Sequence, residues 1–115
     1  MRIIQTLKLK DDPELIAKYR DVHRNVWPEV KEGIGEVGIT NMEIFINGNT
    51  LFMIVDTVEG FDRERDFARL AQLPRQAEWE AFVARFQDAD PGASSGEKWM
   101  EAEKIFSLTE DDEKQ

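Results

Sequence analysis

The first part of the chain alternates between apolar and polar residues and then changes to a helical period. Over residues 3–10, apolar side chains recur at every second position on one face, which predicts a strand. An acidic cap at Asp11 and a proline at Pro13 are typical of the first turn of a helix. Because a proline disfavours helical geometry at the residue before it, Pro28 predicts a break near residues 24–27 and a second helix after it.

The middle of the chain predicts a hairpin followed by two more helices. The second helix is expected to end at Gly38, because glycine commonly follows the last turn of a helix. Residues 39–58 form two apolar runs joined by Asn47-Gly48-Asn49, a strong signal for a tight hairpin turn. Both runs are nearly continuously apolar, which indicates a sheet covered on both faces. Helical periods then return over residues 62–73 and 75–87.

The last part of the chain completes a single domain. Its composition predicts a loop over residues 88–96, a strand over 99–108 and an acidic tail over 109–115. The order of elements predicts an α+β, ferredoxin-like split βαβ domain over residues 1–115, of the dimeric α/β-barrel type. Such a domain has a four-stranded antiparallel sheet with its helices on one face. If the open face is apolar, a homodimer would cover it.

Composition and charge narrow the possible functions. The 115 residues are 41% hydrophobic, which supports a real core, and 24 acidic against 15 basic side chains give a net charge of -9. This charge repels phosphate backbones and argues against nucleic acid as a partner. The chain has no cysteine, which excludes disulfides, thiolate catalysis and cysteine-ligated metals. No apolar run is long enough for a membrane span or a signal peptide, so we expect a cytoplasmic protein that binds no membrane.

The main candidate site is a cluster of aromatic and imidazole side chains. Tyr19, His23 and Trp27 are spaced four residues apart, so a helix would place them on one face. Together they suit a small, hydroxyl-rich ligand, because the rings stack on C–H groups while the phenol and imidazole form hydrogen bonds. His23 also supplies a proton donor or acceptor near pH 7. The same spacing fits an ordinary amphipathic helix with core aromatics, and spacing alone does not decide between the two.

Several other residues are weaker candidates. Asn41, Glu43 and Glu59 lie on or beside the hairpin and could orient hydroxyl groups, although Glu43 could equally be an exposed residue at the rim of a strand. Lys98 and Trp99 follow a glycine-containing loop and could close over a ligand, or could simply begin a strand.

Trp79 could line a pocket, but its spacing with Phe82 and Phe86 fits a core stripe more simply. A single histidine and no cysteine leave only carboxylates for a metal, and no metal-ligand spacing is present. The sequence also contains no phosphate-binding loop and no nucleophile elbow.

The sequence resembles a known family over nearly its whole length. The matching stretches occur in order, and they are residues 19–29, 38–45, 51–53, 78–79 and 91–106. The run Tyr-x-x-x-His-x-x-x-Trp-Pro-Glu is the most specific of them. On these residues the chain is similar to the L-rhamnose mutarotases, including the closely similar proteins assigned to L-fucose.

The resemblance implies a small homodimeric, ferredoxin-like enzyme that interconverts the α and β anomers of a 6-deoxyaldose without metal or cofactor. It implies that His23 is the acid/base residue and that Tyr19 binds the sugar. Trp79 matches the second of two adjacent tryptophans in the rhamnose enzymes, and Glu78 replaces the first. A sugar-binding tyrosine of those enzymes falls at Met42. These replacements leave the chemistry in place and make the identity of the sugar an open question.

Three matters stay open at this point. Glu43, Glu78 and the segment 96–99 look more like the fucose-type members, which favours L-fucose slightly over L-rhamnose. A second proton-transfer group is needed, and Tyr19, Glu43 or a bound water are the candidates, while Trp27, Trp79 or Trp99 could stack on the sugar. The alternative functions are a cofactor-free monooxygenase or haem-degrading enzyme on the same scaffold, and a non-catalytic sugar-binding module.

Overall fold

The computed structural model describes residues 1–90 and 92–109 and contains one antiparallel sheet. The strands are β1 (Arg2–Lys8), β2 (Ile39–Asn47), β3 (Thr50–Thr57) and β4 (Met100–Ala102). The helices are α1 (Pro13–Val22), α2 (Pro28–Glu36), α3 (Arg63–Leu70), α4 (Gln76–Ala84) and α5 (Ser95–Lys98). The strand order β2-β3-β1-β4 confirms the predicted ferredoxin-like arrangement.

The ends of the first two helices follow from their sequences. The side chain of Asp12 accepts hydrogen bonds from the backbone N–H groups of Glu14 and Leu15, which caps α1. Helix α1 ends at Val22 and α2 begins at Pro28, so the predicted break is confirmed. The break decides which side chains of this region can share a face.

The hairpin is also confirmed. Asn47 pairs with Thr50 across the turn, where Gly48 has a φ of 63°. The register is interrupted once, by an irregularity between Ile39 and Asn41 at the start of β2. The hairpin arms therefore keep one set of alternate side chains on the helix-covered face of the sheet.

The two faces of the sheet differ in character. Alternate residues of the central strands are buried against the helices: Ile3, Gln5 and Leu7 on β1, and Leu51, Met53 and Val55 on β3. The open face carries both apolar and charged side chains, and its cover by a second chain stays a prediction. Phe45 and Phe52 are paired on it and are 52% and 37% exposed, while Arg2, Glu43 and Asp56 are charged positions of the same face.

The C-terminal part of the sequence prediction was wrong in its boundaries. The fourth strand covers only Met100–Ala102 and not residues 99–108. Its last residue, Ala102, pairs with Ile4. Because β1 begins at Arg2, only two residues of β1 remain beyond this pair for a longer β4. Residues 103–109 continue without regular structure and expose Ile105, Phe106 and Leu108.

The predicted loop before this strand contains a short helix. Ser94 and Glu97 form a capping box, which begins α5 inside the segment that composition assigned to a loop. Pro91 and residues 110–115, most of the predicted acidic tail, lie outside the described residues. No helix in the described part of the chain has the length and apolarity of a membrane span.

Candidate functional site

A cavity of about 610 Å³ lies between the helices and the covered face of the sheet. Its volume falls in the range of small-molecule sites in proteins. Its lining comes from several elements and includes Tyr19, His23, Met42, Met53, Trp79 and Trp99. The cavity therefore collects side chains that are distant along the chain.

His23 is held in a defined orientation at the end of α1. Its Nδ1 lies 3.0 Å from the carbonyl oxygen of Tyr19, one helical turn earlier. A carbonyl oxygen can only accept, so Nδ1 carries a proton, and Nε2 makes no hydrogen bond within the described residues. Burial lowers the pKa of His23 below its ordinary value, and the hydrogen bond to Tyr19 opposes this in part. The imidazole is therefore mainly neutral at pH 7, with Nε2 available to accept a proton.

Tyr19 lies against this imidazole. The two ring centroids are 4.2 Å apart at an interplanar angle of 34°, and the phenol ring is almost completely buried. Burial raises the pKa of Tyr19 above its ordinary value, so the phenol keeps its proton at neutral pH. Its oxygen forms no hydrogen bond with any residue that the structure describes, which leaves the hydroxyl available to a ligand.

Trp79 on α4 completes this end of the cavity, and Trp27 does not reach it. The ring of Trp79 meets that of His23 edge to face, with centroids 5.5 Å apart. Trp27 is not among the lining residues and packs against Trp79, with ring centroids 5.1 Å apart. It stacks on Phe82 and lies beneath the guanidinium of Arg75. Because α1 ends at Val22, the four-residue spacing no longer places Trp27 on the same face as Tyr19 and His23.

Trp99 is fixed at another wall of the cavity. It is buried, and its carbonyl oxygen accepts a hydrogen bond of 2.7 Å from Arg63 on α3. The same guanidinium donates two hydrogen bonds to Gln5 Oε1 on β1, at 3.1 and 2.9 Å. Arg63 therefore connects β1, α3 and the segment that contains Trp99.

Gln5 and Asn41 also line the cavity.

Three other predicted residues do not line the cavity. Glu43 points to the open face, because its strand neighbours Met42 and Ile44 turn inward. Lys98 is buried, and its Nζ donates to Gln87 Oε1 at 3.0 Å, so it supports a neighbouring side chain. Glu59 is exposed in the turn after β3.

Glu78, which stands where the rhamnose enzymes have a tryptophan, is also directed away from the cavity. It is exposed on α4 and forms an ion pair of 3.1 Å with Arg75.

The sequence reasoning missed a polar set in the cavity lining. Gln5, Gln76, Glu80 and Gln87 all line the cavity. Gln5 could have been found, because it interrupts an apolar strand face where a polar side chain needs partners. Glu80 gave no such signal, since a glutamate on a helix is usually solvent-exposed. Among the described residues, no three histidine, aspartate or glutamate side chains form a metal-ligand set.

Comparisons with known proteins identify the family. The model of the L-rhamnose mutarotase family matches residues 2–108. The chain is 45% identical over 111 residues to the L-fucose mutarotase of Xanthomonas campestris pv. campestris, covering 95% of this chain and 89% of that protein.

Two solved structures are similar in fold. The L-rhamnose mutarotase from Formosa agariphila has a TM-score of 0.71 at 22% identity, covering 94% of this chain and 98% of that one. Tetracenomycin F2 cyclase from Streptomyces glaucescens has a TM-score of 0.60 at 18% identity, covering 96% and 98%. Both structures share the fold of this chain, and the second shows that this fold also occurs in a polyketide cyclase. The family resemblance seen in the sequence is confirmed by the family model and by the 45% identical relative. With nearly its full length matched by the family model, the chain belongs to the L-rhamnose mutarotase family of sugar isomerases.

Proposed function

We propose that this protein interconverts the α and β anomers of a 6-deoxyaldose, L-fucose or L-rhamnose, with His23 as the acid/base residue. One observation carries the assignment of the residue. The imidazole donates Nδ1–H to the carbonyl oxygen of Tyr19, which leaves Nε2 as an acceptor among the lining residues of a cavity. A positioned imidazole with this tautomer is suited to take a proton from a hydroxyl group.

The reaction needs two proton transfers in each direction. In ring opening, Nε2 of His23 takes the proton of the anomeric hydroxyl, the bond from C1 to the ring oxygen breaks, and C1 becomes a carbonyl. The ring oxygen receives a proton from a second donor, either the phenol of Tyr19 or a bound water. After rotation about the C1–C2 bond, closure on the other carbonyl face reverses both transfers. Each positioned group typically contributes about 10²–10⁴-fold to the rate.

The aromatic walls suit the substrate class. Tyr19, Trp79 and Trp99 offer ring surfaces that can pack on the C–H groups of a pyranose. Such contacts hold the sugar without fixing every hydroxyl, which permits the carbonyl to turn before closure. Of the two sugars, L-fucose is favoured by the 45% identity to a relative named for it and by Met42, a lining residue of the cavity that departs from the rhamnose pattern.

Anomer-exchange NMR tests the proposal directly. Wild-type protein should exchange the anomer signals of L-fucose or L-rhamnose faster than buffer, with slower exchange of D-galactose and D-ribose. His23→Ala should lower the protein-dependent rate by about 10²–10⁴-fold. Asn25→Ala, an exposed neighbour, is the matched control and should exchange at the wild-type rate. Wild-type protein that accelerates neither 6-deoxyaldose would refute the activity, and an unchanged rate in His23→Ala would remove His23 from the mechanism.

We also propose that the protein is a homodimer formed through the open face of the sheet. Phe45 and Phe52 form an exposed aromatic pair there, and burial of such a pair favours association. Phe45→Glu should give monomers in sedimentation velocity, while Ala17→Glu, which adds the same charge on the exposed side of α1, should remain dimeric. A monomeric wild-type protein would contradict the dimer. The cytoplasmic location stays a prediction.

A further inference from the structure

Three polar side chains in the cavity lining are each tied to the protein at one end. Gln76 Nε2 donates to the carbonyl oxygen of Val30 at 3.0 Å. Gln87 Oε1 accepts from Lys98 Nζ at 3.0 Å. Glu80 Oε1 accepts from the backbone N–H of Ser95 at 2.7 Å.

These anchors also determine what the other end of each side chain offers. A carbonyl oxygen requires a donor, so Gln76 must present its amide nitrogen to Val30 and its Oε1 elsewhere. An ammonium group requires an acceptor, so Gln87 presents its oxygen to Lys98 and its NH₂ elsewhere. Glu80 keeps a second carboxylate oxygen, Oε2. The set therefore offers one neutral acceptor, one donor and one charged acceptor.

The glutamine ends that make no hydrogen bond reach the cavity, and Glu80 is a half-buried residue of the same lining. Within the described part of the chain, Gln76 Oε1, Gln87 Nε2 and Glu80 Oε2 make no hydrogen bond, yet no fully buried polar side-chain atom lacks a partner. These atoms must therefore border accessible space. Gln76 and Gln87 are only 3% and 5% exposed, and both line the cavity, so the space they border is the cavity.

We propose that Gln76, Glu80 and Gln87 form a hydroxyl-binding wall that determines the sugar specificity of the cavity. This inference rests on the proposed mutarotase function and deepens it. Neighbouring hydroxyl groups of a pyranose each donate one hydrogen bond and accept others, which matches a set of two acceptors and one donor. Glu80 contributes most, because a hydrogen bond to a charged group is stronger than one between neutral groups.

Within the cavity, the residues that bind the sugar differ from the residue that transfers protons. Tyr19, His23 and Trp79 meet each other at one end, as their ring contacts show, and no ion pair joins His23 to a carboxylate among the described residues. Glu80 is the carboxylate among the residues that line the cavity. We assign its free oxygen to a sugar hydroxyl, so Glu80 acts on affinity and not on proton transfer.

Steady-state anomer exchange in Glu80→Gln tests the wall. Glutamine keeps an oxygen for the N–H of Ser95 and loses only the charge, so the wall keeps its shape. KM for the 6-deoxyaldose should rise by about 10–100-fold, as expected for loss of a charge-assisted hydrogen bond, with kcat changed by less than about threefold. Glu64→Gln, an exposed glutamate in the first turn of α3, is the matched control and should behave as wild type.

Singly deoxygenated sugars show whether the effect comes from a hydroxyl. For the analogue that lacks the hydroxyl bound by Glu80, wild-type protein should lose affinity, and Glu80→Gln should lose no further affinity. Tryptophan fluorescence titration measures the same affinities without turnover, so the wall is tested even if wild-type protein exchanges no anomers.

The outcomes separate the wall from the activity. Unchanged KM and unchanged affinity in Glu80→Gln overturn the wall, and so does a loss confined to kcat, which would make Glu80 a proton-transfer group. Thermal unfolding at the wild-type temperature confirms that the variant is folded, and Gln76→Leu, which should also raise KM, provides a second variant if it is not. Absence of exchange in wild-type protein refutes the proposed function alone.

Discussion

His23 is the single histidine of the chain, which makes its ionisation directly observable. Burial lowers its pKa and the hydrogen bond to the Tyr19 carbonyl partly opposes that shift. We expect its Cε1 proton signal to titrate with a midpoint below about 6.5, the ordinary value for histidine. A midpoint at or above that value would contradict the burial of the ring.

The same shift sets the pH dependence of the reaction. With a lowered pKa, Nε2 is unprotonated at pH 7 and can accept the anomeric proton. As the pH falls through the pKa, Nε2 becomes protonated and the protein-dependent exchange rate should fall with it. The midpoint of that fall should match the NMR midpoint, and exchange that increases toward acid would assign His23 the role of initial proton donor.

At the residue scale, the sequence was informative where local spacing decides the position. Tyr19 lies on α1 and His23 caps its C-terminal end one turn later, so their contact followed from helical geometry. The same rule wrongly placed Trp27 on that face, because the helix ends five residues before it. Glu80 was not predictable, since its role depends on how α4 is placed relative to Ser95 and the sheet.

At the scale of elements, the turn between α2 and β2 requires glycine at residue 38, whereas the last turn of α2 tolerates alanine at residue 35. Gly38 has a φ of 101°, and an added Cβ would lie 2.9 Å from Cγ2 of Val58. Gly38→Ala should therefore lower the free energy of unfolding by about 1–3 kcal/mol. Gly35, in the last turn of α2, has open space where its Cβ would be, so Gly35→Ala should raise it by about 0.5–1 kcal/mol.

Chemical denaturation of the two variants decides this pair. Equal stability of both, or a stabilised Gly38→Ala, would show that the left-handed conformation at residue 38 is not required. Since the two glycines lie three residues apart and receive the same substitution, differences in the unfolded chain largely cancel.

The elements themselves were predictable in number and order more than in length. Some signals depend only on neighbouring residues: the proline at residue 28, the Asn-Gly turn and the alternation in the first strand. The helix, hairpin and strand that they predict are all present. The fourth strand was predicted too long because its apolar residues fit a strand pattern, whereas its real length is set by pairing with β1. Long-range pairing of this kind leaves little trace in one sequence.

At the scale of the whole molecule, the fold alone does not decide the chemistry. A polyketide cyclase has the same fold, so the activity depends on what the cavity presents. Here the cavity lining carries an imidazole between aromatic rings together with amide and carboxylate groups. The combination of these groups fits a small polyhydroxylated ring better than an extended aromatic one.

The net charge of -9 provides a test of the substrate class at the same scale. A neutral sugar experiences no long-range force from this charge, so kcat/KM should change by less than about twofold between roughly 0.02 and 0.5 M NaCl. An anionic substrate, such as a sugar phosphate, would be repelled at low salt, and screening would raise its kcat/KM severalfold. To distinguish a neutral from an anionic substrate, anomer exchange is measured across this salt range for L-fucose and for an L-fucose phosphate ester whose anomeric hydroxyl is free. A strong salt dependence for the neutral sugar would mean that a charged form or a charged partner takes part in binding.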